Sequence, residues 1–408
     1  MKQENQHTPS HFSLGKTGML PQEEMLEVGR RRSRLIIGIP KDHETIEQRV
    51  ALTPEAVEIL VNQGHEVIIE SGAGIPANYS DHDYSENGGF IVNEKEQVYR
   101  CDIILRLSPL NDDEIDSLKG DQILFTSVNL PQQREEYIRK LMQKKVIAVA
   151  FEYLRAEDNS YPVIKAMSEI AGTAAIQVAS EYLSNSRNGK GVLLGGVSGI
   201  TPTEIVILGA GTAAEYAAKA AMALGASVKV FDFSLIKLRR LQKHLGTRVY
   251  TSVFHPRVLT KDIQSADVII GAMYQYENQP RILLDEDMVR KMKEGTVIID
   301  LSIDQGGCIE TSEIRTINNP AFNKFGVLHY CVPNIASRVS RTASIAMSNV
   351  LSPILLEMGE FGGFLNHLKE NRGLRNGVYI YNGILTKKQI GDRFGIPSRD
   401  IDLLMAAF

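Results

Sequence analysis

Apolar residues in this chain fall into short β-branched runs that alternate with longer stretches of helical period. That pattern predicts a parallel α/β sheet. The first run is Leu35–Ile39, and a helix is expected over Glu55–Gln63, with Thr53 as N-cap and Pro54 at its first position. Further strands are expected at Glu66–Glu70, Asp102–Leu107, Gln122–Thr126 and Val146–Ala150. A glycine-rich stretch, Gly189–Gly199, precedes a second set at Glu204–Leu208, Ser227–Phe231, Asp267–Ile270, Val297–Leu301 and Val327–Cys331. Helical periodicity returns beyond Arg341, with Pro353 expected to kink or break it. No repeat at solenoid spacing is present.

The second set opens with chemistry. The apolar strand Ile205–Leu208 runs directly into Gly209-Ala210-Gly211-Thr212-Ala213-Ala214, and an alanine-rich helix, Glu215–Leu224, follows. The first glycine permits a tight turn, and the second lets the backbone approach a pyrophosphate. Small Ala214 allows the helix to pack closely on the strand. The helix N-terminus offers N–H groups and the positive end of its dipole to phosphates. Asp232 ends the next strand 21 residues after Gly211, close to the interval of about 20 at which an acidic residue holds a ribose. A carboxylate there favours NAD, because it would repel a 2′-phosphate. Lys237, one helical turn on, is either a solvated charge or a contact to the adenosine end. No such turn follows the first strand, where charged Lys41-Asp42-His43-Glu44 stands instead. The first region is therefore expected to serve the substrate, and the C-terminal helical tail to pack back on it.

Composition narrows the classes. At 408 residues the chain is too long for one core. A hydrophobic fraction of 43% with 23% charged residues is that of a soluble globular protein. The formal charge of −4 offers no footprint for nucleic acid, and no apolar run is long enough to span a membrane. Cys101, Cys308 and Cys331 are odd in number and far apart, which suits a reducing cytoplasm better than a disulfide framework. They have no partners at metal-ligand spacing, so no metal site is expected. Residues 1–33 are polar with a basic cluster from Arg30 to Arg34, and the apolar Leu35–Pro40 stretch is too short for an export signal. They read as a tail.

From about Leu35 onward the chain resembles the alanine dehydrogenase and transhydrogenase α-subunit family. The likeness is carried by Gly38-Ile39-Pro40-Lys41, Arg49–Pro54, Glu70–Gly74, Met167–Gly172, Gly191–Gly196, Ile303–Cys308 and His329–Asn334. The Asp-Gln-Gly-Gly-Cys and His-Tyr-Cys-Val motifs resemble the dehydrogenase branch. The resemblance implies an α/β fold of two Rossmann-like, doubly wound domains with a cleft between them. A substrate domain would comprise residues 34–165 and 335–408, and the NAD-binding domain residues 166–334. It implies reversible NAD-dependent oxidative deamination of L-alanine, or a related small amino acid, to the keto acid and ammonia, in a homo-oligomer (a hexamer, with a dimer as minimum). Ser168, Gly209, Gly211, Thr212, Ala213, Ala214, Asp232, Lys237, Ile303, Asp304, Val332 and Asn334 would line the cofactor site. Arg49 would hold the substrate carboxylate, for which a guanidinium fork is well shaped. Asp304 would sit beside the reacting carbon.

Two positions depart from the family pattern. Ser108 stands where the family carries a substrate-binding lysine, and Asn129 where it carries a histidine. An imidazole exchanges protons near neutrality and a carboxamide does not. Arg106, two residues before Ser108, either replaces the lost cation or joins a structural ion pair. His329 is either a packed histidine or a substitute acid/base. Arg49 itself could be an ordinary salt-bridging arginine, and Asp304 a turn cap. Two other functions stay open: an NAD(H)-binding regulatory protein whose chemistry has lapsed, and a hydride-exchange component like the transhydrogenase α subunit. Reduction of NAD by a panel of amino acids separates the first from the enzyme.

Overall fold

A computed structural model describes residues 32–43, 47–273 and 282–406; the expected tail lies outside them as far as residue 31. Two sheets form. The first contains β1 (Ile36–Ile39), β2 (Glu66–Glu70), β3 (Phe90–Val92), β4 (Ile103–Leu105), β5 (Ile123–Thr126) and β6 (Ile147–Ala150). The second contains β7 (Glu204–Leu208), β8 (Ser227–Phe231), β9 (Tyr250–Ser252), β10 (Val268–Gly271), β11 (Val297–Asp300), β12 (Ala321–Lys324) and β13 (Val327–Tyr330). Late in the chain, β14 (Val378–Tyr381) and β15 (Ile384–Leu385) extend the first sheet.

Strand order is β15-β14-β6-β5-β4-β1-β2-β3 in one sheet and β12-β13-β11-β10-β7-β8-β9 in the other. Each therefore contains the parallel six-strand order 3-2-1-4-5-6 of a doubly wound dinucleotide fold. In each sheet the added strands at one edge pair antiparallel. The central strands are buried because helices cover both faces, which is why they read as continuous apolar runs. Apolar clusters flank both faces of each sheet. In such sheets ligands bind outside the carboxyl ends of the strands, where the order reverses. Those ends fix where a site can form.

Two long helices join the halves. Pro162–Leu183 packs against Thr212–Ala223 and against Ser340–Glu360. The first of these contacts is intimate, because a Cβ at Gly172 would collide with the Ala213 carbonyl. The second helix continues unbroken through Pro353. The expected break does not occur: Ser352 donates to the Ser348 carbonyl at 2.7 Å, and the turns on either side are packed against the first core. The helix predicted at Glu55–Gln63 spans Pro54–Asn62, and Thr53 is its N-cap without a side-chain bond.

Candidate functional site

On the dinucleotide side, β7 runs into the turn and Thr212 begins a 12-residue helix. Gly209 has φ +115°, and a Cβ there would strike the Ala272 carbonyl, so only glycine fits. Gly211 is different, since a Cβ built on it meets nothing within 4 Å. The space in front of this helix N-terminus is open, as a pyrophosphate requires. Ala214 is fully buried. Asp232 is only 2% exposed, and its oxygens accept the N–H of Ala210 at 2.8 Å and of Ser234 at 2.8 Å. It ties the phosphate turn to the loop after β8, and each oxygen keeps a second lone pair. Lys237 lies near the start of the following helix, its N–H bound to Ser234 Oγ at 3.3 Å. Ser168 lies one helical turn before Gly172, the point of contact with Ala213. The Gly209–Ala214 turn and Asp232 thus come together at the carboxyl ends of β7 and β8.

On the other side, the loop before the Pro54–Asn62 helix carries Arg49. The loop is pinned by hydroxyls from the far end of the chain. Gln48 N–H donates to Ser337 Oγ (3.3 Å), Val50 N–H to Ser344 Oγ (2.9 Å) and Thr53 N–H to Ser348 Oγ (3.2 Å). Arg49 donates from Nε and Nη2 to the buried Glu47 carboxylate at 2.8 and 2.6 Å, and Nη1 rests on Met167 Sδ at 2.9 Å. Glu47 also accepts from Asn334 Nδ2 and Ser337 Oγ, both at 2.7 Å. Burial opposes ionisation of both partners. Their mutual attraction wins, holding Glu47 below and Arg49 above the ordinary values. Asn334 thus links the cofactor-side expectation to the Arg49 loop. Val332 and Ile303 are buried on the dinucleotide side.

Arg106 corrects one expectation. It is 1% exposed and does not stand open as a substitute cation. Its Nη1 donates to Glu114 (2.9 Å), the Lys41 carbonyl (2.9 Å) and the Tyr99 hydroxyl (3.1 Å), while Nε lies 3.2 Å from Asp42. A buried guanidinium must be paired; these partners hold Nε and Nη1, while Nη2 is buried with no hydrogen-bond partner among the described residues. Ser108, at the family's lysine position, gives its hydroxyl and its N–H to Asp42. Burial pushes the Asp42 carboxyl up, partly offset by Arg106. Asn129 follows β5 in the left-handed region, φ +47°, and donates from Nδ2 to Gln132 Oε1 at 3.1 Å.

The two sides meet where the Leu130–Gln132 turn packs against Ile303–Gln305. The Asp304 loop is shaped by Asp300 at the end of β11, which accepts the N–H of Ser302 (3.0 Å) and Cys308 (3.3 Å). Asp304 Oδ1 is buried with no hydrogen-bond partner among the described residues. Burial pushes its carboxyl up to about 7, and the neighbouring Asp300 charge adds to the rise. His329 is packed: its ring contacts Thr311 Oγ1 (2.7 Å) and the Val327 carbonyl (3.0 Å), stacks on Phe322, and is driven by burial to about 4. It is neutral and remote from acid/base duty at pH 7.

Comparison with known proteins agrees with this architecture. Residues 38–171 match the family model "Alanine dehydrogenase/PNT, N-terminal domain" and residues 175–388 match "Alanine dehydrogenase/PNT, C-terminal domain". The chain belongs to the alanine dehydrogenase/PNT family. An alanine dehydrogenase from Staphylococcus saprophyticus is 37% identical over 369 residues, covering 90% of this chain and 99% of the relative. The solved structure of an L-alanine dehydrogenase superposes with TM-score 0.81 at 34% identity, covering 88% of this chain and 99% of that one. A transhydrogenase from Sinorhizobium meliloti shares the fold, with TM-score 0.72 at 22% identity over 87% of this chain and 99% of that one.

Within this family fold, sequence reasoning overlooked Glu47, Ser337, Ser344 and Ser348, which hold Arg49, and Asp42, which holds Ser108. The serine spacing at 340, 344, 348 and 352 was a usable signal, since it marks one face of a helix. Glu152 was also overlooked; only the pairing of β5 with β6 reveals it.

Proposed function

We propose that this protein is an NAD-dependent amino-acid dehydrogenase of the alanine dehydrogenase type, interconverting L-alanine or a related small amino acid with its keto acid and ammonia. The observation that carries the proposal is Asp304, a buried carboxyl ionising near neutrality on a loop packed against the turn that follows Asn129. Bound NAD would supply the hydride acceptor for the substrate's Cα. Gly209, Gly211, Thr212 and Ala213 would bind its phosphates, and Asp232 its ribose. Ser168, Lys237, Ile303, Val332 and Asn334 would complete the lining. Arg49 keeps Nε and Nη2 on Glu47, so its Nη1 edge, now on the soft Met167 sulfur, is the one a carboxylate would take. Asp304 would hold or release a proton at the substrate nitrogen. With Asn129 and Ser108 at the family's histidine and lysine positions, no imidazole or ammonium at those positions shares that task, and Asp304 carries it within reach of neutral pH. We further propose a cytoplasmic homo-oligomer, in keeping with the family resemblance. The described residues contain no helix long and apolar enough to cross a membrane.

The test is direct. Native protein with NAD and a panel of small amino acids, followed at the nicotinamide absorbance, should reduce NAD with alanine or a close neighbour. Tight NADH binding with no turnover of any panel member would refute the enzyme and leave an NADH-binding regulatory protein.

A further inference from the structure

The strands β1, β4, β5 and β6 are neighbours in the first sheet, so the loops after them stand in a row along its carboxyl edge. Asp42, Ser108 and Asn129 occupy the first three. Glu152, in the short turn Phe151–Tyr153 after β6, occupies the fourth. Its Oε1 accepts two successive backbone N–H groups, from Val128 at 2.7 Å and from Asn129 at 3.1 Å. Oε2 is buried and has no hydrogen-bond partner among the described residues.

This arrangement bears on Asn129, whose φ of +47° is one that asparagine enters more readily than other non-glycine residues but still at some cost. Two charge-assisted bonds to adjacent N–H groups offset that cost. The held turn then projects the Asn129 carboxamide onto Gln132, and Leu130–Gln132 rests on the loop that carries Asp304. A continuous path of contacts runs from Glu152 through the Asn129 turn to the cofactor side of the cleft. We propose that Glu152 is a positioning residue for the reaction: its ionised carboxylate holds the Asn129 turn in register with the Asp304 loop, and protonation loosens that hold.

The surroundings make the charge state consequential. Burial pushes the Glu152 carboxyl above the ordinary carboxylate range, while the N–H groups of Val128, Asn129 and its own residue pull it back. The titratable groups facing it are the phenols of Tyr137, on the helix Glu135–Gln143, and Tyr379, on β14. Burial raises both phenols, so both stay neutral and neither supplies a compensating cation. The hold is therefore present at high pH and lost as pH falls through the raised value.

The kinetic arm of the test rests on the proposed dehydrogenase activity, whereas a spectroscopic arm does not. Full-length protein labelled with 15N-asparagine would be titrated with acid, and the Asn129 backbone signal identified by its disappearance in Asn129→Gln. In the native protein that signal should move in one step, and in Glu152→Gln the step should vanish. Turnover by Glu152→Gln should be roughly 10-fold lower, the effect of weakening two charge-assisted bonds to neutral ones. It should also lack the part of the acid limb that matches the Asn129 step, with NADH affinity unchanged. An Asn129 signal that does not titrate in the native protein, or titrates unchanged in Glu152→Gln, overturns the proposal. Should Glu152→Gln fail to fold, the native titration alone decides. Absence of turnover in the native protein would overturn the dehydrogenase reading and leave the Asn129 titration to judge Glu152.

Discussion

In the proposed dehydrogenase the proton chemistry falls to one carboxyl. Burial lifts Asp304 from the ordinary 3.8 to about 7. An unfolded chain releases that proton near pH 4, whereas the folded protein keeps it to near neutrality. The folded state therefore binds more protons across this window, and its stability falls as pH rises through it. Asp300, raised by burial to about 6, acts with the same sign in the lower part of the window. Asp304→Asn should accordingly lose less stability than the native protein between pH 5 and pH 8, judged by urea midpoints at the two values, while Asp300 preserves part of the slope. Equal slopes in the two proteins would show that Asp304 is not protonated near neutrality. In the dehydrogenase assay the same variant should turn over about 10²–10⁴-fold more slowly, as expected when a proton-transfer group is lost. Arg106 shows another use of a buried charge: its Nε and Nη1 contacts to Asp42, the Lys41 carbonyl, Tyr99 and Glu114 tie the loops after β1 and β4 together.

Among the elements, the strand–turn–helix at Gly209–Ala214 offers a clean contrast between structural and binding glycines. Gly211→Val puts a side chain where nothing lies within 4 Å. It should leave thermal stability nearly unchanged but weaken NADH binding by on the order of 10-fold or more, or about 1.4 kcal/mol, measured by calorimetric titration. Gly209→Ala should instead destabilise by about 1 kcal/mol or more, since φ is positive and a carbonyl is in the way. Intact NADH affinity in Gly211→Val would move the pyrophosphate away from this turn. The same segment shows why part of the fold could be read from the chain. Runs rich in β-branched residues mark strands whether buried throughout, as in most of β7, or alternately buried, as in β2 and β8, and all three begin and end where that pattern placed them. The short edge strands β3, β9 and β12 run for only three or four residues with no fully buried position, so they escaped notice. The β14–β15 hairpin escaped for another reason, since it lies where only helical periodicity was followed. Site residues divide likewise. The phosphate turn is local in sequence, whereas Glu47 reaches Ser337 across 290 positions and Glu152 reaches Asn129 only through strand pairing.

At the scale of the molecule, the site is assembled from two sheets linked by few segments. The chain passes between them along the helix Pro162–Leu183 and returns through Ile335–Val339 into the helix Ser340–Glu360. Contacts across the cleft include Asn334 on Glu47 and the Leu130–Gln132 turn on Ile303–Gln305. Near one passage, Arg338 pairs with Glu181. Interfaces of this kind permit rotation of one body against the other, and the bends would fall near residues 160–170 and 334–341. A ligand that touches both sides favours the closed form by its extra contacts there. On the proposed assignment NADH alone would engage mainly the second sheet and the Asp304 loop, so NADH with a keto acid should close the cleft further. Hydrogen exchange on the native protein tests this without assuming turnover. Amides at 128–132 and 302–308 should exchange more slowly with NADH, and more slowly still with NADH plus pyruvate. Those in β3, at the opposite edge of the first sheet from β5 and β6, should not change. Uniform protection throughout both sheets would indicate general stabilisation by ligand binding rather than closure, and no change at the cleft amides would mean that the two bodies are already fixed in their working arrangement.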